Sequence, residues 1–363
     1  MAPCEGWKRL RTGMRQAAKK GRRGGRAGGV PSIAEVAARA GVSVATVSRV
    51  LNGVSARYSA ETEARVRAAI TEMNYRPASV GRALRQGESR LVAVLAASLA
   101  NPTMAAIAAS TEAALREAGY VMVLCDTHDR PEIQDEYLLE MRAQFATAIV
   151  LLGAVASPQL DAFRAAGERL LFVSRRDPFA VDDPFVGIDN RRAGREVAEL
   201  FAGPEAGSIG VIHGPLTSSA TQDRVTGFTE RLAELRPQHP PRIVSAEESD
   251  HLLIGYRGAD VLLSEGEGPS AIFCLSDLIA FGAARRLGEA GKVVPRDVCI
   301  VGFDDTPLND WVAPWLSGVR VPYEEFGPAI VTALARITAG ETSFEMVLGH
   351  TIVRRDGRPA SSL

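Results

Sequence analysis

The chain is poor in the residues that anchor metal centres and disulfide frameworks. It has 4 cysteines and 5 histidines in 363 residues, and they are scattered. Cys4, Cys125, Cys274 and Cys299 form no Cys-x-x-Cys pair, and no cysteine and histidine share a metal-ligand spacing. Three of the four cysteines fall inside apolar, strand-like runs, which predicts buried, reduced thiols. Long hydrophobic runs are also missing. The stretch at Leu91–Ala97 is far shorter than the ~20 residues a membrane span needs. A basic N-terminus without an apolar segment behind it argues against a signal peptide. No Gly-x-Ser-x-Gly elbow, phosphate-binding loop or His-Glu-x-x-His helix is present, so no catalytic constellation emerges. These absences predict a cytoplasmic protein with no cofactor, no metal, no membrane partner and no enzymatic activity.

What is present is divided. The net charge of −1 conceals a basic head and an acidic body: residues 1–90 carry +12 and the remainder −13. A basic head on an acidic body suggests that the head meets a polyanion. A hydrophobic fraction of 46% can build a core, and the length predicts two or three domains.

Residues 1–30 are rich in Arg, Lys and Gly and keep neither a helical nor a strand period, so a disordered basic extension is expected there. Two readings of it stand open: an arm that touches the DNA backbone, or translated upstream sequence with the functional start near Met14 or Val30. Residues 31–76 read as three short helices, and 77–90 as a hinge and linker. From Leu91 the pattern becomes repeated β-α alternation. Strand runs are expected at Leu91–Ala96, Tyr120–Cys125, Ala148–Leu152, Leu170–Ser174, Ser208–His213, Ala271–Leu275 and Val298–Phe303. Helical patterns lie between them, as at Met104–Ala118 and Gln222–Glu234. This texture predicts a doubly wound α/β body. Some 260 residues is long for one such sheet, which favours two lobes.

The first helix of the head opens at Ser32, with Glu35 three residues on, a capping box. Ile33, Val36, Ala37 and Ala40 share one face. Gly41 suits the positive-φ position of a tight turn, Val42 can plug the gap between helices, and Ser43 can cap a second helix over Val44–Leu51. Val47, Val50 and Leu51 then face inward, leaving Val44, Ala45, Ser48, Arg49 and Asn52 outside. A short helix–turn–helix with a small polar outer face fits a major groove. Any capped helical hairpin shares this local pattern. The length, the turn glycine and the net +4 of residues 31–90 favour DNA.

The run from Ile33 to Asn52, followed by Ala68-Ala69-Ile70-Thr71-Glu72-Met73-Asn74-Tyr75-Arg76-Pro77, resembles the signature of the lactose-repressor (LacI) family of bacterial regulators. The similarity extends over residues 31–356. It implies an N-terminal all-α helix-turn-helix domain and a two-lobed, periplasmic-binding-protein-like (type I) α/β effector domain. Lobe 1 is expected over 91–190 and 321–346, and lobe 2 over 191–320 and 347–357. The resemblance places Val44, Ala45 and Arg49 at base-reading positions. Arg49 can donate a bidentate pair to guanine, whereas Val44 and Ala45 offer only apolar contact. Thr46, Ser48 and Asn52 suit phosphates, and Ser32, Tyr75 and Ser79 complete the DNA-side set. In the hinge, Val80 and Leu84 form an apolar stripe, with Leu84 as a wedge into the minor groove. Ala78 stands where the family often has Asn, and Gly81 where Ala is usual. Gly81 weakens a hinge helix by up to ~1 kcal/mol.

In the body, the matching segments include Asn101-Pro102-Thr103-Met104, Val186-Gly187-Ile188-Asp189-Asn190, Arg224-Val225-Thr226-Gly227-Phe228, Cys274-Leu275-Ser276-Asp277 and the run from Val294 to Asp305. They are loops after strands, where open α/β sheets bind ligands. The resemblance assigns Arg224 and Asp304 as the principal effector contacts: a fork of donors and an acceptor for paired hydroxyls. Ser276 follows as a smaller polar contact. Thr103, Met104, Arg175 and Asp250 are wall positions, and Asp277 braces its own loop. Trp311 and Trp315 lie past the main cleft loops, so packing near a crossing between lobes is expected at least as much as stacking on a sugar. Where relatives often have Arg-Gln-Pro, this chain has Arg320-Val321-Pro322.

Together these imply a homodimer on a palindromic operator, a repressor of carbohydrate-use genes released by a sugar. A corepressor-dependent or activating regulator responding to a purine, nucleoside or sugar phosphate is the alternative. The C-terminal residues carry no leucine heptads, so no tetramerising coiled coil is expected. A secreted sugar-binding protein or an α/β enzyme fits less well, because neither needs the DNA head.

Overall fold

The structure is a computed structural model, and it describes residues 31–51, 58–75, 89–180, 182–203, 207–246, 248, 250–264 and 268–355. The chain divides into two compact units, residues 1–87 and 88–363.

In the first unit, α1 (Ile33–Ala40), α2 (Val44–Leu51) and α3 (Ala60–Glu72) enclose a small core. The capping box forms as expected: Glu35 N–H donates to Ser32 Oγ, and Ser32 N–H donates to Glu35 Oε2 at 2.6 Å. Gly41 ends α1 at φ 65°, so a residue with a Cβ would be strained there. Its neighbour Ser43 accepts the Thr46 N–H at 3.2 Å and starts α2. Helices of 8, 8 and 13 residues are marginal alone. They are held by mutual burial of Val36, Ala37, Ala40, Val47, Val50, Val66 and Ala69.

The second unit holds two six-stranded sheets. The first is built from β1 (Leu91–Ala96), β2 (Val121–Asp126), β3 (Ala148–Leu152), β4 (Leu170–Val173), β5 (Phe185–Ile188) and β11 (Glu345–Leu348). Its order is β11-β5-β4-β3-β1-β2, parallel throughout. The second contains β6 (Ile209–His213), β7 (Arg242–Ser245), β8 (Ala271–Cys274), β9 (Cys299–Asp304), β10 (Ser317–Arg320) and β12 (Thr351–Val353). Its order is β12-β10-β9-β8-β6-β7, with only β12 antiparallel. Each sheet thus repeats one 2-1-3-4-5 winding and adds a strand from the C-terminal segment.

The central strands β3, β6 and β8 are buried along their whole length and read as continuous apolar runs. The edge strands alternate instead, as in β7 and β11, which makes these short elements harder to read from sequence. Between strands lie α4 (Pro102–Glu117), α5 (Pro131–Ala143), α6 (Pro158–Ala165), α7 (Asn190–Leu200), α8 (Ser219–Leu235), α9 (His251–Ser264), α10 (Asp277–Glu289), α11 (Asn309–Val312) and α12 (Tyr323–Thr338). Helix α7 packs on α8, α9 on α10, and α12 on α4. The chain passes between sheets after β5, after β10 and after β11. A lobe boundary at 346 would cut through β11, which stays in the first sheet to Leu348.

Two expectations are corrected. Cys125 and Cys274 are buried, but Cys299 is exposed, because it opens β9 at the rim of the sheet. Trp315 packs half-buried against the core, whereas Trp311 is 86% exposed on the outer side of the one-turn helix α11.

Candidate functional site

On the head, Val44 and Ala45 are exposed, while Thr46, Ser48 and Arg49 are half-buried beside the buried Val47 and Val50. The Thr46 hydroxyl lies 2.9 Å from Ser43 Oγ, so it shares in the helix cap. Ser32 is likewise engaged with Glu35. Tyr75 packs half-buried against the three-helix core. Asn52, Ser79 and Leu84 lie outside the described residues, as does most of the hinge.

In the body, a cavity of about 450 Å³ is lined from both sheets. The first sheet supplies Thr103 and Met104 at the start of α4 and Arg175 after β4; the second supplies Arg224, Asp250, Ser276 and Asp304. All seven predicted effector positions therefore meet around one space.

Arg224 is clamped. Its Nε donates to Asn190 Oδ1 at 2.8 Å, and Nη1 donates to the Leu275 carbonyl at 2.9 Å. The guanidinium lies over the Phe303 ring, 3.4 Å from its centroid. Helix α8 brings it there by unusually close packing on α7. A Cβ at Gly194 would collide with the Arg224 carbonyl, and one at Gly227 with that of Arg191.

Asp304 ends β9 at φ 106°, a conformation that L side chains rarely adopt, and Asp305 follows at φ 47°. The surroundings hold this strained pair. The Asp304 carbonyl accepts from Val321 N–H at 3.1 Å and from Tyr323 Oη–H at 2.6 Å. The Asp305 carboxylate accepts from Arg320 Nε at 2.7 Å and Arg355 Nη1 at 2.6 Å. Burial pushes the Asp304 carboxyl up to about 6, against the pull of Arg224. The Thr103 hydroxyl lies close to that carboxylate, yet is buried without a well-formed hydrogen bond. A buried polar atom left in that condition is one that a ligand can satisfy.

The remaining wall residues have more than one task. Arg175 Nη1 donates to Asp129 Oδ1 at 2.5 Å. Asp250 accepts the Leu252 N–H at 2.8 Å at the start of α9. Ser276 accepts from Ile279 N–H and caps α10. Asp277, expected to brace its own loop, instead braces the one after β9: its Oδ2 accepts the Thr306 N–H at 3.0 Å. Burial, with the nearby Asp304 charge, raises its carboxyl to about 7.

Sequence reasoning missed Asn190, Asp129 and His251, all of which line the cavity. Asn190 stood in a matching segment, but its bond to Arg224 spans 34 residues and left no local signal. Among the described residues no cluster suits a metal ion, and no helix is long and apolar enough to cross a membrane.

The comparisons with known proteins agree with this two-part architecture. The profile of bacterial regulatory proteins of the lacI family matches residues 32–78, and that of a periplasmic binding protein-like domain matches 198–356. The ribose operon repressor of Halalkalibacterium halodurans is 32% identical, over 84% of this chain and 88% of that one. The HTH-type transcriptional repressor PurR of Proteus mirabilis is 30% identical, over 90% and 92%. Among solved structures, the lac repressor dimer bound to operator and the anti-inducer ONPF superposes with a TM-score of 0.76 at 26% identity, covering 90% of this chain and 98% of that one. The transcriptional regulator CelR in complex with cellobiose gives a TM-score of 0.66 at 26% identity, covering 90% and 100%. The curated relatives regulate transcription and are not enzymes. The present chain is likewise a DNA-binding transcriptional regulator, a member of the lacI family of bacterial regulatory proteins.

Proposed function

We propose that this regulator is a cytoplasmic homodimeric repressor of carbohydrate-use genes. Two copies of the head, residues 31–76, sit on a palindromic operator. Residues 77–90 form the hinge, and the body over 91–357 takes a neutral sugar between its lobes. Sugar binding shifts the lobes and weakens the hold on DNA, a coupling between two sites.

The observation that carries this reading is the pair Arg224 and Asp304 in the cavity. A fixed guanidinium and a buried carboxylate offer donors and acceptors to neighbouring hydroxyls. The Thr103 hydroxyl adds a third polar group. Phe326 is the one Phe, Tyr or Trp side chain on the described wall, and it is buried. A flat base would find little to stack on, which favours a polyhydroxylated ligand over a purine. Two of the similar proteins carry a sugar in their names, ribose and cellobiose, while the PurR relatives do not.

On the DNA side, Arg49 is the reading-helix residue with the strongest hydrogen-bonding capacity, and Val44 and Ala45 present apolar surface. The test is a thermal-shift screen of the full chain against neutral sugars, purines and sugar phosphates. A ligand at 100 times its Kd stabilises the folded state by about 2.7 kcal/mol. Stabilisation by purines with none by sugars would replace this reading with the corepressor one.

A further inference from the structure

His251 is half-buried at the first position of α9 and borders the cavity. Its Nδ1 lies 2.9 Å from Ser276 Oγ. That oxygen already accepts the Ile279 N–H at 3.3 Å, which fixes the start of α10. A serine hydroxyl has one proton to give, and among the described residues His251 Nδ1 is the acceptor beside it. With the hydroxyl as the donor of this contact, Nδ1 accepts and the proton of the neutral ring resides on Nε2. Nε2 lies over Gly214: a Cβ there would stand 3.7 Å from it. Gly214 and His251 both line the cavity, and the absence of a side chain at Gly214 leaves space beside Nε2.

We propose that His251 reads the effector as a hydrogen-bond donor, in a tautomer set by Ser276, and that binding of an uncharged sugar weakens on acidification as this tautomer is lost. The proposal rests on the reading of the cavity as a sugar site.

Protonation places a second N–H on Nδ1, facing the Ser276 O–H. The hydroxyl then has to turn away from its acceptor while still holding Ile279. The new cation also lands in a crowded field. Arg175 and Asp129 face it from the loops of the first sheet, Arg224 from α8, and Asp250 from the start of its own helix. Burial, and after it Arg175, favours the neutral ring. An uncharged ligand supplies no anion to offset a third positive charge beside the two arginines.

Two measurements on the full chain test this. The first is ring-nitrogen NMR of the free protein from pH 5 to 8, where the His251 signals are identified by their loss in His251→Gln. A neutral ring with the proton on Nε2 at pH 7.5 is expected. A proton on Nδ1, or a charged ring at that pH, overturns the proposal whatever binds. The second is calorimetry with neutral monosaccharides and disaccharides, D-ribose and cellobiose included. Affinity is expected to fall from pH 7.5 to pH 5, most steeply at the acid end, because burial keeps the ring neutral to below its ordinary range. Asp304 takes up a proton in the same range, so His251→Gln, which keeps a donor and cannot titrate, isolates the histidine's share. A flatter pH profile in the variant supports the proposal, and a profile unchanged from the parent overturns it. Failure of every neutral sugar to bind overturns the sugar reading beneath it, and this proposal with it.

Discussion

Arg224 Nη1 and Asp304 Oδ1 stand 3.9 Å apart, close enough to attract and too far for a hydrogen bond. Each is held by other partners. Arg224 is fixed by Asn190, Leu275 and Phe303, and the Asp304 backbone by Val321 and Tyr323. The pair is thus preorganised without being consumed by its own contact, which leaves bonding capacity for a ligand.

Asp304→Asn is expected to weaken sugar binding ~10- to 100-fold, because a hydrogen bond to a charged group is worth ~1.5–3 kcal/mol. Operator binding should survive. Calorimetry and gel-shift titration of the same preparation check both halves.

The same substitution should change how stability depends on pH. The Asp304 carboxyl titrates at about 6 in the folded state, against ~4 for an exposed one. A raised folded pKa contributes stability that is full below the unfolded value and lost as pH rises through the folded one. Asp304 therefore makes the parent less stable between pH 4 and about 7, and Asp304→Asn removes its share of that loss. Asp277, raised to about 7 by burial and by the Asp304 charge, loses the second of these causes in the variant and so gives up part of its own share too. Urea midpoints at pH 4.5 and 7.5 should show a smaller difference in the variant.

Gly227→Ala should destabilise the body by ~1–3 kcal/mol, the usual cost of overpacking. Helix propensity alone predicts the opposite sign, a gain of ~1 kcal/mol. The added methyl meets the Arg191 carbonyl across the α7–α8 contact. Because Arg224 lies one turn earlier on α8, effector affinity should drop as well. Denaturant unfolding and calorimetry separate the two effects.

Arg49→Ala should cost ~1–3 kcal/mol on the specific operator and relax base choice at one position per half-site. An equal loss on specific and random DNA would mark Arg49 as a phosphate contact instead. Competition binding with single-base operator variants decides it.

How much of this was legible depended on the range of the interaction. The capping box of Ser32 and Glu35 and the turn at Gly41 are set within a few residues, so sequence displayed them. The buried strands β1 and β3 stood out as unbroken apolar runs. The edge strands β7, β11 and β12 did not, since three or four partly exposed residues carry little signal. In the cavity, Arg224 and Asp304 emerged only through family resemblance. The partners that aim them are remote in sequence, as are Asp129 beside Arg175 and Ser276 beside His251. Trp311 went the other way: an aromatic expected to pack stands exposed, because a one-turn helix buries Asn309 and leaves its other side to solvent.

The most direct measurement of the central claim is fluorescence anisotropy of the full-length protein on a palindromic site selected from random DNA, titrated with the best-binding neutral sugar. The parent should lose operator affinity ~5- to 150-fold as the sugar saturates. Asp304→Asn should bind the same DNA and not respond over that range of sugar. An Asp304→Asn protein that releases DNA at the parent's sugar concentration would contradict the account.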